Sequence, residues 1–186
     1  MTSRIITAFF CCFTSGLAIS NDFDFYDDWG VHHATGLSAK VRGAIAATAI
    51  SDITFGFECN TSNNQAWVFV SFKGKVEDYS NRTYKIVVGK DQEKPIFGTP
   101  IQKNKEYVSI KAFSIGNDNI DYVFKAIKNA SSPIDIHIYA HNSEDLNEAP
   151  EQFYYKASER GSTKALTIAQ QACGHDSFTG INFQYE

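Results

Sequence analysis

Period-two alternation dominates the middle of the chain. Ile53, Phe55, Phe57 and Cys59 fall on one side of a segment whose other side carries Thr54, Gly56 and Glu58, the pattern of a half-buried strand. Asn60-Thr-Ser-Asn-Asn64 reads as a turn, because Asn, Ser and Thr side chains bond to nearby backbone. Ala66 to Phe72 follows as a strand that is apolar on nearly both sides, and the two segments read as a hairpin. Further strands are expected at 84–88, 106–113, 134–140 and 152–156, with a charged turn from Asp91 to Lys94 before Pro95-Ile-Phe97. In the segment 134–140, Ile134, Ile136, Ile138 and Ala140 share the inward side.

The period changes in two places. Ile120, Val123, Phe124 and Ile127 recur at helical spacing, which predicts a helix over about 119–129. Asp118 or Asn119 is the expected cap, and Pro133 excludes continuation. Ala165, Leu166, Ala169 and Ala172 mark a second helix over about 162–173, with Ser162 as its cap and Gly174 as its stop. Seven or eight short strands follow one another without crossover helices. The expected fold class is therefore mainly β, an antiparallel β-sandwich or barrel with two short helices.

The first residues follow a different logic. Arg4 precedes an apolar run from Ile5 to Ala18, and small residues close it. That order is the n-region, h-region and cleavage region of a secretory signal. The run is shorter than the roughly 20 apolar residues needed to cross a bilayer. Residues 1–20 are thus read as a signal peptide cut after Ser20, with Ala18 as the alternative position. Cys11 and Cys12 leave with it, and no Leu-small-small pattern precedes them to mark a lipid anchor. Residues 21–28 read as an acidic flexible arm and 29–186 as a single β-rich domain. The expected location is periplasmic or secreted, with no stable membrane insertion.

Charge narrows the partners. The chain has 17 basic and 21 acidic residues, a net charge of −4, and no basic run. Electrostatic capture of nucleic acid is therefore not expected. Fifteen Phe, nine Tyr and two Trp supply ample material for a core. Cys59 and Cys173 survive cleavage, and an even count this small in an oxidising compartment reads as one disulfide. The competing reading is a catalytic or metal-binding thiol pair, but no Cys-x-x-Cys accompanies them.

Little else carries chemistry. His32-His33 follow Asp27-Asp28 and offer metal-ligand types, yet adjacent strand residues point to opposite faces. Asp135 and His137 lie two apart on one strand face, without a Gly-x-Ser-x-Gly nucleophile. Nothing in the sequence brings Glu58 and Asp135 together as a carboxylate pair. Phosphate-loop, dinucleotide and His-Glu-x-x-His motifs are missing. No catalytic residue, metal or cofactor is therefore expected. Asn60, Asn81 and Asn129 open Asn-x-Ser/Thr triplets. These are glycan acceptors in a eukaryotic source and simple turn chemistry in a bacterial one, which is favoured. Phe153-Tyr154-Tyr155 places rings on both faces of a strand. Phe23, Phe25, Tyr26, Phe178, Phe183 and Tyr185 are either recognition rings on exposed arms or edge strands packed back onto the domain.

One layout is familiar. Trp29 is followed by a strand ending at Cys59, then by a helix and a strand, and then by an aromatic strand that leads to Gly161-Ser-Thr-Lys-Ala-Leu166 and Ala172-Cys173. This resembles small bacterial periplasmic proteins with a Gly-Ser-x-x-Ala-Leu…Cys ending, among them relatives of invasion-associated locus B proteins and of type VI secretion-associated periplasmic proteins. Only the last motif matches residue by residue, and it also reads as an ordinary capped helix start. The resemblance implies a periplasmic β-sandwich with a Cys59–Cys173 bridge, and no catalytic residues.

The expected function is that of an exported, non-catalytic binding or accessory protein of the bacterial envelope or a secretion system, acting on another protein. The alternatives are an inhibitor or immunity protein against a hydrolase, and a hydrolase with a dispersed site. An inhibitor needs a protruding loop, for which Glu144, Asp145 and Glu148 are the candidate residues. N-terminal sequencing of the exported form is expected to begin at Asn21; a mature chain that starts at Met1 or Thr2 refutes the signal peptide.

Overall fold

The computed structural model describes residues 23–34, 43–74, 79–89, 94–102, 107–113, 118–142 and 149–179. The expected signal peptide and the loop residues Glu144, Asp145 and Glu148 lie outside them. The strands are β1 (Phe23–Tyr26), β2 (Trp29–Ala34), β3 (Gly43–Ile50), β4 (Ile53–Asn60), β5 (Ala66–Lys73), β6 (Arg82–Val88), β7 (Ile96–Gln102), β8 (Tyr107–Phe113), β9 (Ile134–Asn142) and β10 (Glu151–Ala157). The helices are α1 (Asp118–Lys128), between β8 and β9, and α2 (Ser162–Cys173), after β10.

All ten strands form one sheet in the order β1-β2-β3-β4-β5-β8-β7-β6-β9-β10, and each neighbouring pair is antiparallel. The first five strands are a continuous meander. The chain then skips two places to β6 and returns through β7 and β8 to pair with β5. α1 carries it back to the far side of β6. The mainly β, antiparallel class is as expected. The arrangement is one curled sheet, a half-barrel, in place of two facing layers. The curl brings β10 against β3, although these strands are far apart in the sheet order.

One face of the sheet carries the core. On β4 the expected alternation holds: Ile53, Phe55, Phe57 and Cys59 are buried in it. Rows from β2, β5, β6, β8 and β9 complete it, with Val68, Ile86, Ile110 and Ile136 among them. Ile120, Val123, Phe124 and Ile127 of α1 point into the same core. Three rings meet at its centre: Phe57, Phe124 and Phe178 lie 4.8 to 5.0 Å apart, centre to centre. Phe178 is therefore packed back onto the domain, and Thr179 pairs with Gln65 as an isolated bridge. Among the described residues no helix is long and apolar enough to cross a membrane.

α2 lies across β2 and β3. Small side chains face each other there: Ala44 and Ala46 on the sheet, Ala165 and Ala169 on the helix, all fully buried. The Gly-Ser-x-x-Ala-Leu…Cys run is this packing surface, since Ser162, Ala165, Leu166, Ala169 and Cys173 are its buried residues. Ser162 is not the cap. Gly161 holds that position at φ 85°, while the Ser162 hydroxyl donates to Glu159 O at 2.8 Å. Gly161 is required there for a second reason: a Cβ would lie 1.8 Å from Tyr26 O. Gly174 stops the helix as expected, in the left-handed region with its N–H donating to Gln170 O and Gln171 O. Asn119 lies within α1, and its amide donates to Pro95 O at 2.8 Å.

The acidic segment expected as an arm is instead the first hairpin. Phe23–Tyr26 pairs with β2, and the residues after β10 lock the turn between them. Trp29 Nε1 donates to Ser158 O at 2.7 Å, Ser158 Oγ donates to Asp28 Oδ2 at 2.6 Å, and Asp27 is 3.5 Å from Arg160. β2 and β3 escaped delineation in the sequence because β3 is built largely of alanine, a poor strand former, chosen here for close approach of the helix.

Cys59 and Cys173 form the single bridge expected, with Cα atoms 6.2 Å apart and a sequence separation of 114. Such a bond indicates an oxidising compartment. It fastens the end of β4 to the end of α2. A loop of that length is worth about 4–5 kcal/mol in the chain-entropy model. The double variant Cys59→Ala/Cys173→Ala is expected to lose roughly 2–5 kcal/mol in denaturant unfolding monitored by Trp fluorescence; an unchanged midpoint would show that the bridge does not support the fold.

Candidate functional site

Strand β10 serves two surfaces because its side chains alternate. Tyr154 points outward and is 52% exposed, whereas Phe153 and Tyr155 pack against the core. The outer surface is a ladder of rings and charges. On β9, Asp135, His137 and Tyr139 alternate with buried Ile136 and Ile138. Tyr154 sits directly across from His137, and Lys156 across from Asp135. The rings of His137 and Tyr154 are 4.8 Å apart. Tyr154 Oη donates to Asp135 Oδ1 at 2.5 Å, and Lys156 Nζ lies 3.8 Å from the same oxygen. On the other side of β9, Lys85 Nζ is 5.5 Å from the centre of the Tyr139 ring. Tyr154 first, and then Asp135, raise the pKa of the Lys156 ammonium.

The inner surface holds a cavity of about 220 Å³ at the end of the half-barrel away from the disulfide. Its wall is Ile53, Val70, Ile110 and Ile138, with the rings of Phe72, Tyr79, Tyr84, Phe153 and Tyr155. Phe72 and Tyr79 pack edge to face at 4.8 Å. Asp52, Lys73 and Arg82 supply charge at the rim, where Arg82 also pairs with Glu151.

Tyr84 is the unusual residue of this wall. It occupies the inward row of β6 with Ile86 and Val88, is only 2% exposed, and its hydroxyl has no hydrogen-bond partner. Burial pushes its phenol up to about 12 from the ordinary 10, against the opposing pull of Arg82. Burial also raises Tyr155, with Asp52 and Tyr79 adding to it. Asp52 belongs to the β3–β4 turn, so this coupling to β10 reflects the curl of the sheet. Phenols with pKa values raised in this way are neutral donors at ordinary pH, and do not act as bases.

The other residues singled out in the sequence are dispersed. His32 and His33 are consecutive on β2, and no cluster of three or more His, Cys, Asp or Glu suited to a metal occurs among the described residues. Asp28 is engaged by Ser158 and Asp27 by Arg160. Glu58 accepts from Trp67 Nε1 at 2.7 Å and from Lys111 Nζ at 3.3 Å, and lies several strands from Asp135. Asn60 is turn chemistry: its Oδ1 accepts from Ser62 N at 2.9 Å and from Ser62 Oγ at 2.6 Å.

Sequence reasoning missed Tyr84 and the cavity. The available signal was a hydroxyl-bearing residue in an otherwise aliphatic inward row, Tyr84-x-Ile86-x-Val88. Comparison of the chain with protein-family models, with curated proteins and with solved structures finds no match.

The raised phenol has a pH consequence. The folded state keeps the Tyr84 proton between pH 10 and about 12, while the unfolded state releases it. This contribution to stability is complete below pH 10 and is lost as pH rises toward 12. Between pH 9 and pH 11 the wild type is expected to lose more stability than Tyr84→Phe in parallel urea titrations. Tyr84→Phe is also expected to be no less stable at pH 7, since it removes a buried, unsatisfied hydroxyl; equal pH slopes for the two proteins would contradict the assignment.

Proposed function

We propose that this chain is an exported binding or accessory protein of the bacterial envelope or a secretion system, and that it acts by contact with another protein through the outer face of β9 and β10. The observation that carries this reading is the exposed Tyr154, held between His137, Asp135 and Lys156. Tyr offers large contact area at low entropic cost, and aromatic residues are enriched in interface cores. The ladder's hydrogen bond, ion pair and ring contacts fix the side chains beforehand, so little freedom remains to be lost on binding. The disulfide supports export, since such bonds persist in oxidising compartments.

The test is site-specific photo-cross-linking in the source cells. A photoreactive residue at position 154 or 139 is expected to give one discrete protein adduct, and the same residue at Lys164, exposed on α2, is expected to give none. Once that partner is in hand, Tyr154→Ala combined with His137→Ala is expected to weaken binding at least tenfold, the loss typical of an anchor residue. Adducts of equal yield from position 164, or none from the outer face, would remove this reading.

A further inference from the structure

The inner cavity differs from a packing defect in two respects. An apolar hole of about 150 Å³ already admits benzene, and this one is larger, at about 220 Å³. A plain packing defect also has no reason to carry a polar group, yet Tyr84 is one of the wall residues, and its side chain, 98% buried, bears a hydroxyl with no partner that the surrounding rings now cover. Leaving such a group unsatisfied is destabilising, whereas Phe at the same position removes the cost. Tyr79 and Tyr155, which share the wall with Tyr84, are only half-buried.

From these observations we infer that the cavity is a binding site for a small neutral organic group, a substituted ring or short acyl chain, whose carbonyl oxygen accepts a hydrogen bond from Tyr84. The aliphatic and aromatic wall selects for an apolar body. The phenol, protonated across the physiological range, supplies a donor without charge and so selects for an acceptor. The rim keeps its charges outside: Arg82 is already paired with Glu151, and Lys73 is exposed. The half-buried rings of Phe72, Tyr79 and Tyr155 stand where the occupant enters, and these are the side chains that must turn to let it reach the hydroxyl. The site lies on the inner face of the sheet and goes beyond the outer-face reading. Probe binding in the cavity and cross-linking from position 154 succeed or fail independently.

The experiment compares two probes of nearly equal size, acetophenone and ethylbenzene, by amide chemical-shift titration of the oxidised protein at pH 7. Both are expected to shift the amides of Val70, Ile110 and Ile138, with acetophenone binding about fivefold tighter, the value of one neutral hydrogen bond. In Tyr84→Phe the acetophenone affinity is expected to fall to that of ethylbenzene, which itself stays unchanged and thereby reports an intact cavity. Ile138→Phe, which fills the cavity and leaves Tyr84 in place, is expected to abolish both. The inference is overturned if neither probe shifts the cavity amides, if the two bind wild type equally, or if the acetophenone preference survives in Tyr84→Phe.

Discussion

A single antiparallel sheet of ten strands has one long apolar face, and the described residues provide two helices of about three turns with which to cover it. Flat, the sheet would leave most of that face in water. Curling solves the problem, because the two ends of the sheet then cover each other. β10 comes to lie against β3, and the residues after β10 bind the β1–β2 turn through Trp29, Asp28 and Asp27. Every other feature of the core follows from this closure. The helices fill the hollow that the curl creates, and the inner cavity is the part of the hollow they do not reach.

Closure demands side chains of contrasting size. Where α2 crosses β2 and β3, alanines face alanines and Gly161 sits against the Tyr26 carbonyl. Where α1 crosses the centre, the Phe57–Phe124–Phe178 cluster fills the wider space. At the open end the wall is again aromatic, but the rings stand around the space without filling it. The sheet thus combines tight packing beneath α2 with a hollow that the helices leave open. The same strand that completes the hollow, β10, presents Tyr154 on its back. One short stretch of alternating residues builds both candidate surfaces.

Much of this was legible in the chain. The β4–β5 hairpin, the rows of β9, both helices and the disulfide follow from period and count, because each buries a face of strong contrast. β1 to β3 were harder. Phe23–Tyr26 carries acidic residues that suggest solvent, but it is an edge strand with one side exposed by its position. β3 is alanine-rich because a helix must approach it closely, and this is a tertiary demand that no local pattern states. The cap was misread at Ser162 because its hydroxyl is taken by the preceding Glu159 carbonyl and Gly161 holds the capping position. The cavity was invisible because its wall is drawn from β4, β5, β6, β8, β9 and β10, and only the curl assembles them. The Gly-Ser-x-x-Ala-Leu…Cys run has a concrete packing role here, as the face that α2 lays on the sheet.

The bridge also sets an order of events. A chain is made from its N-terminus, so the β1–β5 meander, joined by local hairpins, is complete while α2 has yet to be synthesised. Its apolar face stays open through that interval, with Cys59 at the margin as an unpaired thiol. The partner, Cys173, arrives 114 residues later, at the end of α2. The bridge therefore cannot form until nearly all of the described chain has been made. Until it forms the molecule carries both a sticky surface and a reactive sulfur, the two things that folding catalysts of an oxidising compartment exist to manage.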